Sequence, residues 1–356
     1  MKREIYNFHA RCCMRHFFYF GRMPEGPKVL VIRFSSIGDI VLTTPVYRGL
    51  KKQIDAEVHL LTKIAFAMTV KHNPYIDKIH TIEKDIDEVI DGLLAEKYDY
   101  VIDLHNNLRT LRTKRKLKIP GTSFNKLNIQ KWLLTNFKTD YMGDDPHIVY
   151  RYMAAANALG VEYDGQGMDF FIADEDVVDV AGETEGILEP GKYVSLAIGA
   201  SMPTKAFVKE QLGQLLTLIS LPVAILGGPA ELELGEALAD SFDHVVNFAG
   251  KTSLQGSASV LRQSSVLIAP DTGLMHMAAA LDHPVISIWG NTVPRFGMTP
   301  FYKDDSETKW HIVEVEGLKC RPCSKIGYNK CPKRHFKCIL ELDINRIAEL
   351  ANGIRL

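Results

Sequence analysis

The chain has 356 residues, 46% of them hydrophobic and 24% charged, with a formal net charge of -1. This is the profile of a soluble globular protein with room for two cores, and the near-zero charge excludes recognition of nucleic acid or an acidic partner through a global field. No apolar run is long enough to span a bilayer as a helix.

Residues 1–22 carry Lys2, Arg3, Arg11, Arg15 and Arg22 beside Phe17, Phe18, Tyr19 and Phe20. They lack the apolar region and small-residue cleavage site of an export signal. A basic aromatic segment can lie on an anionic membrane. Met23 stands just before the first strand, however, and 1–27 reads better as a disordered N-terminal extension. The first strand covers 28–34 and ends in the turn Ser35-Ser-Ile-Gly-Asp39. A helix follows. Either Thr44 caps it with Pro45 in its first turn, or it starts near Gly38 and bends at Pro45. Strands at 57–62, 79–82 and 100–104 and helices at 85–96, 129–137 and 148–159 complete a first domain over 28–175. The acidic, Gly-containing stretch 176–190 is the linker.

The second domain, 191–340, alternates more cleanly. Strands are expected at 193–197, 223–226, 245–248, 266–269 and 285–289, with helices at 209–219, 231–239 and 254–263. A last helix within 341–356 is expected to pack back on the first domain. Near-continuous apolar strands suit parallel sheets buried on both faces. The fold class is therefore α/β, with two doubly wound Rossmann-like domains facing across a cleft.

The most informative stretch is Ala269-Pro-Asp-Thr-Gly-Leu-Met-His276, where a buried strand turns into an Ala-rich helix. Free backbone N–H groups and a helix N-terminus at the carboxyl end of a strand can hold phosphate without a metal. Asp271, Thr272 and Gly273 form that turn. His276, one turn into the helix, divides evenly between packing and ligand contact. Thr204 and Lys205 follow another strand end, in a loop suited to phosphate contact by a point charge. Asp39, flanked by Ser36 and Gly38, could accept a proton from a hydroxyl. After the strand at 100–104 come His105, Asn106, Arg109 and Arg112, opening a basic run that reads as a solvated helix face or as an anion site for carboxylate or phosphate groups of an acceptor or of a membrane surface. No G-x-G-x-x-G opens either half, and Gly250-Lys-Thr252 lacks the earlier glycine of a P-loop, so nicotinamide and Walker-type sites are disfavoured.

Cys320, Cys323, Cys331 and Cys338 could hold a structural zinc through four thiolates. Their irregular later spacing and the neighbouring Lys and Arg residues favour free or redox-labile thiols. No catalytic metal cluster is evident.

Arg33-Phe-Ser-Ser-Ile-Gly-Asp-Ile-Val-Leu-Thr-Thr-Pro45, with Pro270-Asp-Thr-Gly-Leu-Met-His276, the Pro-Thr-Lys205 loop and the Cys-rich tail, resembles the bacterial ADP-heptose:lipopolysaccharide heptosyltransferases of glycosyltransferase family 9. The resemblance runs from Lys28 to the end. It implies the GT-B fold and transfer of a heptose from ADP-heptose to the lipopolysaccharide inner core, with inversion and no required cofactor. It makes Asp39 the base, and Lys205 with Asp271–Gly273 the diphosphate holders. Glu231 would meet the ribose or base, by a looser alignment. The partners implied are a nucleotide sugar and a lipid-linked oligosaccharide, and not nucleic acid. The place of action implied is cytoplasmic, at the inner face of the cytoplasmic membrane. Phe207 stands where relatives often carry Trp, which puts the sugar pocket in question. A GT-B enzyme using another nucleotide sugar, or a non-catalytic nucleotide-sugar-binding protein, stays open.

Overall fold

The computed structural model describes residues 24–144 and 146–354. The basic aromatic segment 1–22 lies outside them. Two all-parallel sheets are built from β1 (Lys28–Ile32), β2 (Glu57–Lys63), β3 (Lys78–Ile82), β4 (Tyr100–Asp103) and β5 (Gly121–Ser123), and from β6 (Val194–Ala197), β7 (Val223–Leu226), β8 (Val245–Asn247), β9 (Val266–Pro270), β10 (Val285–Trp289) and β11 (Trp310–Glu314). The first has the order β3-β2-β1-β4-β5 and the second β11-β10-β9-β6-β7-β8. Both sheets are entered near the middle and wound outwards, which places a topological switch at the carboxyl ends of β1 and β6. The central strands β1, β4, β6, β7, β9 and β10 consist almost wholly of buried residues, as strands covered on both faces require.

In the first half the connecting helices are α1 (Ile37–Val41), α2 (Thr44–Ile54), α3 (Ile90–Ala95), α4 (Leu108–Leu117), α5 (Asn128–Phe137) and α6 (Ile148–Ala156). The sequence offered one helix after β1, either capped by Thr44 or starting near Gly38 and bending at Pro45. The chain instead forms two helices separated at Leu42 and Thr43, and the cap of the second is Thr43, with Pro45 in its first turn. The helix expected over 85–96 splits into a short 3-10 turn (Ile86–Glu88) and α3. In the second half the main helices are α7 (Lys209–Leu218), α8 (Leu232–Ala239), α9 (Leu254–Gln263), α10 (Gly273–Ala280) and α11 (Ile344–Gly353).

One buried apolar cluster runs through both halves, from Val29 and Ile40 to Met275 and Trp289. Separate clusters cover the outer faces, one around Leu30 and Leu93, the other around Leu196 and Ile347. Helix α11 belongs to the latter. Ile344, Ile347, Ala348 and Ala351 bury against α7 and β10, so it docks on the second half and not, as expected, on the first. Its apolar face matches the surface left by Leu212, Leu215 and Leu216 of α7.

The two halves meet where α1 crosses α10. A methyl group on Gly38 would lie 2.5 Å from His276 Cδ2, and one on Gly273 would lie 2.8 Å from Ile37 Cγ2. Neither position has room for a side chain, so glycine at both allows the two helix starts to touch.

Candidate active site

The carboxyl ends of both sheets open onto one cavity of about 850 Å³. Asp39 stands on its first-half wall. Lys205, Asp271 and Gly273 stand on the second-half wall.

Asp39 lies in the first turn of α1, where Ser36 N and Oγ donate to its Oδ2 at 3.2 and 3.0 Å. Arg33 Nη2 pairs with Oδ1 at 2.8 Å. Arg33 also donates to the carbonyls of Ser35 and Leu104 and to the Tyr152 hydroxyl, so the guanidinium is fixed. Burial alone would push the Asp39 carboxyl up. The Arg33 charge and the Ser36 hydrogen bonds outweigh it and hold the group below the usual carboxylate range. Asp39 is therefore an ionised acceptor at neutral pH.

Lys205 Nζ lies 2.6 Å from Asp271 Oδ2, which also accepts from Thr292 Oγ1 at 3.1 Å. Asp271 thus holds the ammonium in place. Thr272 caps α10 in extended backbone without a side-chain bond, and its buried hydroxyl has no partner among the described residues. The free N–H groups of the first α10 turn and the Lys205 charge make an anion cradle. His276 packs its ring against Gly38, and its Nδ1 is buried without a partner among the described residues. Burial pushes its pKa down to about 4, so the ring is neutral at pH 7. Glu231 lines the same wall, accepting from Gly228 N at 2.8 Å and closing over Gly199.

Of the residues expected to meet an acceptor, only part reaches the cavity. Ser36 and His105 line it. Asn106 does not. It takes a left-handed turn conformation and donates Nδ2 to the Phe124 carbonyl, which shapes the loop. Arg109 lies over the Phe34 ring at 5.4 Å, just behind the wall. Arg112 is drawn away by Asp85 and Asp87, which pair with it on the outer surface. Thr204 is also displaced from its expected role, because its hydroxyl exchanges bonds with the Tyr328 backbone. Phe207 is buried in the outer core of the second half and leaves the cavity untouched.

Three lysines that the sequence reading passed over, Lys126, Lys131 and Lys325, line the cavity. They come from two separate loops and α5, with no shared spacing that could have marked them. Burial, helped by Arg151, pushes Lys131 down to about 7.

The four cysteines are free, and among the described residues neither group of ligand atoms lying within 4.8 Å of one another includes a cysteine. The zinc expectation is thus not met by a gathered thiolate set. The reactive-thiol reading is not met at Cys338 either, since burial pushes that thiol up to about 11. One group that does gather is His59, His80 and Glu96, on β2, β3 and the loop before β4. The Tyr98 hydroxyl bridges both rings at 2.9 and 3.0 Å, while Lys28 and Lys78 sit on Glu96. Its polar atoms are already satisfied as a closed network.

Residues 87–327 match the model of glycosyltransferase family 9 (heptosyltransferase). The chain is 27% identical over 316 residues to lipopolysaccharide heptosyltransferase 1 of Campylobacter coli, covering 82% of this chain and 90% of that protein. It is 24% identical over 293 residues to lipopolysaccharide heptosyltransferase 1 of Escherichia coli K12, covering 75% and 89%. Among solved structures it is similar to E. coli ADP-heptose lps heptosyltransferase II, with TM-score 0.68, 18% identity and coverage of 92% and 98%. It is similar too to E. coli heptosyltransferase WaaC with ADP, with TM-score 0.59, 20% identity and coverage of 80% and 93%. The two facing parallel sheets are thus a GT-B fold, and the chain belongs to glycosyltransferase family 9, the heptosyltransferases.

Proposed function

We propose that this glycosyltransferase moves a heptose from ADP-heptose to a hydroxyl of the lipopolysaccharide inner core, inverting the anomeric centre. In this reading the second half holds the donor and the first half holds the acceptor. The observation that carries it is the placing of Asp39 and the Lys205–Asp271–Gly273 cradle on opposite walls of one cavity. The names of the related enzymes supply the sugar and the acceptor.

The acceptor oxygen attacks the anomeric carbon as the carbon–oxygen bond to the diphosphate breaks. The acceptor proton passes to an Asp39 oxygen, and the negative charge left on ADP meets Lys205 and the α10 amides. No metal is assigned a step, because these cationic and backbone groups occupy the place where a leaving diphosphate would need charge. Lys126, Lys131 and Lys325 suit an acidic acceptor. Its lipid anchor puts the work at the inner face of the cytoplasmic membrane.

Replacing the base tests the assignment. Asp39→Asn should lower kcat about 10²–10⁴-fold while ADP binding by calorimetry stays as in the wild type. Full turnover in that variant would reject the base. Donor screening with ADP-, UDP- and GDP-sugars tests the nucleotide. Turnover that survives chelator supports metal independence, and turnover that chelator abolishes refutes it.

A further inference from the structure

Helix α5 exposes an apolar face that nothing among the described residues covers. Ile129 is 71% exposed, Trp132 55% and Phe137 63%, with Trp132 and Phe137 ring centroids 5.2 Å apart. On the opposite side of the helix, Leu134 is buried against Met142 and Phe296. Asn128 and Lys131, one residue before Ile129 and Trp132, line the cavity. The exposed stripe therefore borders the cavity on the proposed acceptor side. Leu108, at the start of α4, is 85% exposed.

Charge identifies the occupant. Residues 108–138 contain nine Lys and Arg and no Asp or Glu. Asp85, Asp87 and Asp103 neutralise Arg112, Lys114 and Lys116. Arg109, Arg115, Lys118, Lys126 and Lys131 have no ion pair among the described residues. Indole and phenyl rings on a helix flanked in sequence by unneutralised cations match the layered chemistry of an anionic bilayer surface, with apolar rings at headgroup depth and basic side chains facing phosphate. Among the described residues no helix is long and apolar enough to cross a membrane, so the contact would be peripheral. We infer that α5 and the unneutralised cations of α4 and its C-cap, Arg109, Arg115 and Lys118, dock this enzyme on anionic phospholipid, presenting the cavity to a bilayer-embedded acceptor. This rests on the lipid-linked acceptor of the proposed function.

The test is co-sedimentation of the full chain with vesicles of phosphatidylcholine alone or mixed with phosphatidylglycerol. Retention on the anionic vesicles only, weakening as salt is raised, is expected. Ile129→Ser with Trp132→Ser should cut the partition about tenfold, and Arg115→Glu with Lys118→Glu should remove the preference for anionic vesicles. Both variants should melt as the wild type does and keep full turnover on a soluble deacylated acceptor, while losing it on acceptor embedded in vesicles. No retention by the wild type, or retention unchanged in both variants, overturns the inference. So does a wild-type dimer that the Trp132→Ser change dissolves, which would make the face a protein interface. Retention without heptose transfer would sink the proposed reaction and leave this surface standing, and transfer without retention would do the reverse.

Discussion

Both groups assigned to the chemistry are already paired before substrate arrives. Arg33 holds Asp39, and Asp271 holds Lys205. Each pair fixes a side chain that would otherwise lose rotamer freedom on binding. Removing the ammonium in Lys205→Ala should raise the Kd for ADP about 10–100-fold, the worth of one charge-assisted hydrogen bond. An unchanged Kd in calorimetry would reject it as a phosphate contact. Lys131 gives a pH signature. With its pKa pushed down to about 7, it is charged below that pH and neutral above it. The KM for an anionic acceptor should therefore rise between about pH 6 and 8. Lys131→Arg, which stays charged, should flatten that rise. A KM equally pH-dependent in the variant would remove Lys131 from acceptor binding.

At the level of elements, the crossing of α1 and α10 sets the distance between the walls. Gly38→Ala forces a methyl group into the His276 ring, and overpacking of this kind costs about 1–3 kcal/mol. A lower Tm with reduced turnover is expected, and a wild-type melt would show that the contact is looser than its geometry implies. The central strands were legible because a strand buried on both faces must be a continuous apolar run, as Val266–Pro270 and Val285–Trp289 are. Of the four edge strands, β5 and β11 were missed because Gly121–Ser123 has no apolar side chain and Trp310–Glu314 is interrupted by His311, whereas β3 and β8 keep Ile or Val residues that marked them. Asp39, Lys205 and the Asp271 turn were legible because each follows a core strand directly, or within a few residues. Arg112 was misplaced because its partners, Asp85 and Asp87, are distant in sequence, and neutralisation across elements leaves no trace in local composition. The docking of α11 depended likewise on which surface remained free after the sheets had formed.

For the molecule as a whole, buried histidines set the acid limit. Burial pushes His147 down to about 3 and His276 and His283 down to about 4. The unfolded chain takes up these protons near pH 6.5. Between about pH 6.5 and 4 the unfolded state binds more protons, so stability that is fully present above that window drains away as pH falls, by on the order of 3 kcal/mol for His276 alone at pH 4. Chemical denaturation at pH 7 and pH 4.5 should show the loss, and equal midpoints would contradict it. The apolar cluster shared by the two sheets bears on how the polypeptide could be divided. Each lobe alone would leave part of that surface wet, and wet apolar surface seeks a mate. Cutting the backbone between Asp179 and Leu188 and expressing the fragments together should therefore yield a complex that co-purifies without any covalent tether, while either fragment produced alone aggregates.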